Sequence, residues 1–213
     1  MLAAFLHGFL LALALILPLG PQNTFVMSQG AANERYRDVV PVVIVASLSD
    51  TMLIAVAVSG VSLALLALPV LKIGLTILGI VFLGWMGVQS WRAPVDHGET
   101  RLIDPSTAAW PLRKRVRYSL SVSLLSPHAI MDTIVVIGGG AALYSHEGEK
   151  LAYGLAAILV SWTWFFALSL TGRAFLLLRN RARALTALNR GSAIIMWAIA
   201  AKYLVQSIQL WVP

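Results

Sequence analysis

The sequence predicts an all-α integral membrane protein with six transmembrane helices, arranged as two three-helix inverted repeats. The first helix of each repeat is predicted to be broken at proline. Three observations lead there. The chain is 59% hydrophobic with only 12% charged residues and a mean hydropathy of +0.81, far more apolar than an ordinary soluble domain. Six segments carry the roughly 20 mostly apolar residues that a spanning helix requires. The cations fall on alternate linkers.

The six segments are 2–31, 39–68, 70–91, 118–144, 151–178 and 191–212. The first lacks the basic leader of a cleaved signal and is long, so it reads as a span. Only Leu68-Pro69 separates the second from the third, which calls for a tight hairpin. Residues 93–112, with Pro, Gly and acidic side chains, read as an irregular loop. The organisation is therefore a first repeat over 1–92, a basic loop over 93–117 and a second repeat over 118–213.

Thirteen of the 16 Lys and Arg lie on the linkers after the first, third and fifth spans. The positive-inside rule makes that side cytoplasmic and places both termini outside, in a bacterial inner membrane. The run "RKRVR" (113–117) reads as headgroup anchoring at the bilayer, so the net charge of +7 requires no nucleic-acid partner. The chain contains no cysteine, which excludes disulfides and thiolate metal sites. Neither a phosphate-binding loop nor Gly-x-Ser-x-Gly occurs, and the four histidines lack metal-ligand spacing. No enzyme, cofactor or resident metal is expected.

Each repeat opens with an interrupted span, at Gly20-Pro21 and at Ser126-Pro127. An odd number of spans per repeat inverts one half relative to the other, a common transporter plan. Proline removes a backbone donor and leaves carbonyls unpartnered, which hydrocarbon tolerates only beside protein or a wet cavity. Gly-Pro and Ser-Pro also suit the start of a helix, whose free N–H groups attract a carboxylate. Simple proline kinks are the alternative. The polar residues Gln22, Asn23 and His128 beside the breaks favour a site.

Counting inward from the basic ends at 1.5 Å per residue, Pro21, Asp50, Pro127, Asp132 and Lys202 all lie about 15–22 Å deep. That is near the middle of a roughly 30 Å core. One polar chamber follows, with Asp50 and Asp132 receiving a cation or carrying a proton and Lys202 as their counter-ion. A structural salt bridge would use the same trio. Trp162 and Trp164 could wall a cation through their ring faces or simply pack. Trp91, Trp110 and Trp211 suit an interfacial belt. Gly74, Gly79, Gly84, Gly87 and Gly138-Gly139-Gly140 would permit close helix contact.

The stretches "LPLGPQNTFVMSQG" (17–30), "SLSD" (47–50), "SPHAIMDTIVVIGG" (126–139) and "MWAIAAKY" (196–203) resemble the lysine/arginine exporter family of the LysE/ArgO type. The resemblance covers essentially the whole chain and is nearest to the arginine-exporter branch. It implies an inner-membrane secondary transporter that expels basic amino acids, with Gly20, Pro21, Gln22, Asn23, Asp50, Pro127 and Asp132 at the family's motif positions. Ser126 and His128 complete the expected substrate site. Relatives that export neutral amino acids or metal cations leave those substrates as alternatives, and five-span topologies have been argued as well as six. A channel or a non-transporting scaffold would be different classes. The expected partners are a basic amino acid, protons, the lipid bilayer and a second copy in a homodimer.

Overall fold

A computed structural model describes residues 1–18, 20–61, 69–92, 110–125, 127–175 and 181–209 of the chain. The described residues are helical throughout, apart from the turns between helices. The helices are α1 (Leu2–Ile16), α2 (Pro21–Ala32), α3 (Val40–Val56), α4 (Pro69–Arg92), α5 (Leu112–Leu125), α6 (Pro127–Ile130), α7 (Gly138–Ala141), α8 (Glu147–Phe175) and α9 (Arg181–Gln209). A 3-10 turn, Tyr36–Asp38, leads into α3, and a wider π-wound segment, Ala57–Val61, continues it. A second π-wound segment, Met131–Ile137, joins α6 to α7. Among the described residues two helices are long and apolar enough to cross a membrane, Tyr36–Gly60 and Glu147–Ala174, or three spans if the bent pair α1–α2 counts as one. Of the other three expected spans, 70–91 is the single helix α4, while 118–144 and 191–212 include residues outside the described set, as do the Leu68-Pro69 hairpin and most of the loop after α4.

The first expected break is present. The axes of α1 and α2 differ by 76°. Gly20 is extended (φ −75°, ψ 178°), and Pro21 is the first residue of α2. The cause is local. Pro18 cannot donate to the carbonyl of Ala14, and Pro21 cannot continue α1. The freed carbonyls acquire side-chain donors instead. Ser192 Oγ donates to Ala14 O, while Asn23 Nδ2 donates to Ile16 O at 2.5 Å and to Pro18 O at 2.9 Å. A backbone break inside an apolar bundle survives where its freed acceptors find partners, as those of Ala14, Ile16 and Pro18 do.

Packing shows which ends meet. The Met1 ammonium lies 3.5 Å from Glu149 Oε1 at the start of α8, and Arg173 near its end donates to Glu34 O at 2.5 Å. The bent pair therefore runs the length of α8 rather than turning back. Gly30 and Gly172 explain how closely they cross: a Cβ at either would strike the backbone carbonyl of Ser169 or Met27. Gly8 meets the Tyr153 backbone in the same way. Of the glycines expected to permit close contact, Gly87 lies against Trp197 and Gly140 against two tyrosine hydroxyls, whereas Gly74, Gly79, Gly84 and Gly139 have open space beside them. Sequence spacing marked glycine-rich runs, but only the crossing geometry decides which glycines are needed.

Two apolar clusters result. One joins α1, α4, α9, the start of α8 and residues 136–141; the other joins α2, α3 and the later part of α8 around Phe165. Within these helices Ser49, Thr51, Thr163 and Thr171 each bond a carbonyl one turn back, whereas the buried Ser47 hydroxyl has no partner among the described residues.

Arg115 departs from the expected headgroup anchor. Arg113, Lys114 and Arg117 of the same run are exposed, but Arg115 is 8% exposed. Its Nη1 donates to Gln29 Oε1, Asn33 Oδ1 and Asp38 O at 3.3, 3.0 and 3.1 Å. It thus ties α5 to the link between α2 and α3, and it gathers the basic segments at one end. Arg115→Met should remove a charged donor shared by three acceptors, a loss of about 1.5–3 kcal/mol. In detergent its melting temperature should fall by several degrees while Arg113→Met stays at the wild-type value.

Candidate functional site

Between the two apolar clusters lies a cavity of about 680 Å³. Its walls include Gly20, Pro21, Gln22 and Asn23 at the start of α2, Asp50 from α3, Asp132 from the π-wound segment, and Ser161 and Phe165 from α8. It extends to Gln89, Ser90 and Asn189, beside Arg92 and Arg190 at the basic end of α4 and α9. The two aspartates, distant in sequence, thus share one chamber with the proline break.

Each wall residue is there for a local reason. Starting α2 at Pro21, after the 76° bend from α1, brings its first residues to the cavity wall. Asp50 is carried in by α3, which is pinned at its beginning by Arg115. Asp132 lies in the first turn of the π-wound segment, where the wider backbone spiral re-aims side chains.

The aspartates differ. Both oxygens of Asp50 are engaged: Gln22 Nε2 donates to Oδ1 at 3.2 Å, and Ser161 Oγ donates to Oδ2 at 2.7 Å. Asp132 Oδ1 is buried with no hydrogen-bond partner among the described residues. A buried acceptor of this kind is unfavourable alone and is relieved by a proton or a cationic donor.

Several expected placements require correction. Lys202 is exposed on α9 and does not line the cavity, so it is not a counter-ion for Asp50 or Asp132 here. Its neighbour Tyr203 reaches His7 rather than the cavity, and the setting of α9 turns the lysine outward. Asn23 and Gln22 have partners other than a free substrate: Asn23 caps the broken α1, and Gln22 holds Asp50. Trp162 and Trp164 do not line the cavity. Trp162 Nε1 donates to Thr51 Oγ1 at 3.0 Å and its ring stacks on Phe166, while Phe165 between them faces the chamber. Ser126 lies outside the described residues, as do the side chains of Pro127 and His128, so the expected break there falls outside the described set; the described helix resumes with Pro127. Trp91 and Trp110 lie under the cations Arg190 and Lys114, and Trp211 lies outside the described residues.

Ser161 was missed by sequence reasoning. In "SWTWFF" (161–166) the large rings drew attention, yet the hydroxyl one turn above Phe165 reaches Asp50. Among the described residues no group of three His, Cys, Asp or Glu is arranged to hold a metal ion.

Comparison with known proteins places this architecture. The family described as LysE type translocator matches residues 13–207. The chain is 41% identical over 199 residues to the protein named "Putative amino-acid transporter YisU" of Bacillus subtilis (strain 168), covering 92% of this chain and 87% of that protein. It is 34% identical over 206 residues to the arginine exporter protein ArgO of Pectobacterium carotovorum subsp. carotovorum (strain PC1), covering 94% and 96%. It is also 34% identical over 215 residues to the ArgO protein of Yersinia enterocolitica, covering 99% and 100%. No solved structure matches. With a family match along nearly its whole length and an apolar helical bundle built around a broken first helix, the chain belongs to the LysE family of translocators.

Proposed function

We propose that the chain exports basic amino acids, arginine and possible relatives such as lysine, from the cytoplasm across the bacterial inner membrane in exchange for protons. The observation that carries this reading is the pair Asp50 and Asp132 in one cavity with the start of α2, one buried carboxylate oxygen being unpartnered. Relatives named arginine exporter support the choice of substrate class. In this reading the guanidinium or ammonium of the substrate engages Asp132, with Asp50 adding charge behind its Gln22 and Ser161 partners. The α-carboxylate docks at the first N–H groups of α2 and at the restart of the helix at Pro127.

The proposed topology has six passes, two inverted repeats over 1–92 and 118–213, the basic loop 93–117 inside and both termini outside. The cavity's extension toward Arg92 and Arg190 then makes this conformation inward-facing, and rocking of the repeats would expose it outward. A cation leaving against an inside-negative potential works against about 2.3 kcal/mol per charge per 100 mV. Exchange for an incoming proton offsets that, with Asp132 or Asp50 as carrier. A homodimer would enlarge the small bundle.

Counterflow in proteoliposomes tests the reading. Labelled arginine should accumulate when unlabelled arginine or lysine is trapped inside, and a neutral amino acid should compete weakly. Accumulation driven by the neutral amino acid alone would move the assignment to neutral export.

A further inference from the structure

One cluster is not used by this mechanism. His7 on α1 is 7% exposed, and both its ring nitrogens are engaged: Nδ1 lies 2.8 Å from Tyr144 Oη and Nε2 lies 2.9 Å from Tyr203 Oη. The Tyr153 ring is 5.3 Å from the imidazole, centre to centre, and Tyr153 Oη donates to Ile137 O at 3.0 Å. A Cβ on Gly140 would strike the Tyr153 hydroxyl and would come within 2.9 Å of the Tyr203 hydroxyl, so this glycine is what lets the tyrosines close over α7. The cluster joins α1, the turn before α8, α8 itself and α9 to the segment that carries Asp132.

Its position is defined by the cavity. On this side the cavity wall includes Ala12, Ile137 and Ala157. His7 lies five residues before Ala12 on α1, and Tyr153 lies four before Ala157 on α8. At 1.5 Å per residue both are about 6–8 Å beyond the cavity, toward the end where Met1 meets Glu149. The basic end, where the cavity approaches Ser90 and Asn189, is the opposite one.

We infer that His7, with Tyr144, Tyr153 and Tyr203, is the removable closure of the cavity at its N-terminal end, and that Tyr153 links it to the Asp132 segment. The chemistry favours a closure that opens over a fixed seal. A permanent plug is best made of apolar side chains, because buried polar groups must all be satisfied. Here imidazole and hydroxyls satisfy one another when closed, and water can satisfy them when they part. Neither state leaves a dry orphan. The Tyr153 bond to Ile137 O, five residues after Asp132, gives movement of the occupied aspartate segment a direct connection to the latch. His7 acts through this segment and is a positioning residue.

The inference rests on the transport reading, but its test is separable. The chain has no cysteine, so Ala157→Cys supplies one thiol on the cavity wall. In oriented vesicles, a membrane-impermeant maleimide should label it slowly from the face bearing the N-terminus. His7→Phe keeps the ring and removes both nitrogens, and should raise that rate about tenfold. Tyr203→Phe removes one hydroxyl and should raise it less, which keeps the test open if His7→Phe folds poorly. His7→Gln, which retains a donor and an acceptor, should restore slow labelling. Unchanged labelling in both phenylalanine variants, with wild-type melting and membrane yield, would overturn the closure. If arginine counterflow fails in the wild type while these labelling changes occur, the substrate reading falls and the closure stands.

Discussion

Asp132→Asn should abolish arginine efflux from loaded vesicles while the protein still reaches the membrane in normal amount. The carboxamide has the same shape, so the cavity persists. What disappears is the charge that offsets a buried guanidinium or ammonium. Removing one partner of a buried ion pair costs about 3–5 kcal/mol, a loss of two orders of magnitude or more in substrate engagement. Asp50→Asn should have the same sign. Its amide can still accept from Gln22 and exchange a hydrogen bond with Ser161, so its geometry is preserved. Transport assays with both variants, alongside their membrane yield, check this. Normal efflux in both would remove the carboxylates from the mechanism.

Gly172→Val should prevent α2 from seating against α8. The new side chain would meet the Met27 carbonyl and lie close to the Ala31 nitrogen, and backbone cannot step aside as a flexible side chain can. Gly30→Val should act in the same way against Ser169. Overpacking of this kind costs about 1–3 kcal/mol and more where both surfaces are backbone. For a chain of this size each kcal/mol is worth about 2–4 °C in melting temperature. Gly74→Ala, with open space at its Cβ position, is the control and should melt like the wild type. Equal melting of Gly172→Val and Gly74→Ala in detergent would show that the α2–α8 crossing is looser than this packing.

The two variants probe different layers. In the proposed mechanism Asp132 acts on a cargo inside a preserved fold, whereas Gly172 acts on the crossing that brings the start of α2 to the cavity. Because α2 also supplies Gln22 to Asp50, loosening the crossing should weaken transport as well as stability. Reduced transport with wild-type melting is therefore the mark of a site residue, and reduced transport with reduced melting that of a scaffold residue.

Local chemistry made part of this protein readable from its residues. A run rich in Leu, Ala and Val has little alternative to a buried or lipid-facing helix, and Pro18 and Pro21 necessarily withhold two backbone donors. The break in the first helix and the start of α2 at Pro21 follow from that. So does the grouping of Asp50 and Asp132, which line one cavity, since rise per residue is fixed. Rotation about a helix axis is set by the neighbours, and here the linear reading stopped. It grouped Lys202 with the two aspartates, but the packing of α9 turned the lysine outward. It singled out Trp162 and Trp164, whereas the rotation of α8 directs Ser161 and Phe165 into the chamber.

Sequence alone determined the class of molecule, the place where its backbone must break and the acidic groups available to a shared chamber, because these depend on composition, proline and axial rise. Tertiary structure alone decided which aspartate oxygen lacks a partner, which amides are already committed and which glycines separate helix backbones. It also decided that a histidine near the N-terminus meets three tyrosines from distant parts of the chain. Those outcomes depend on the angular setting of each helix against the others, which no single segment encodes.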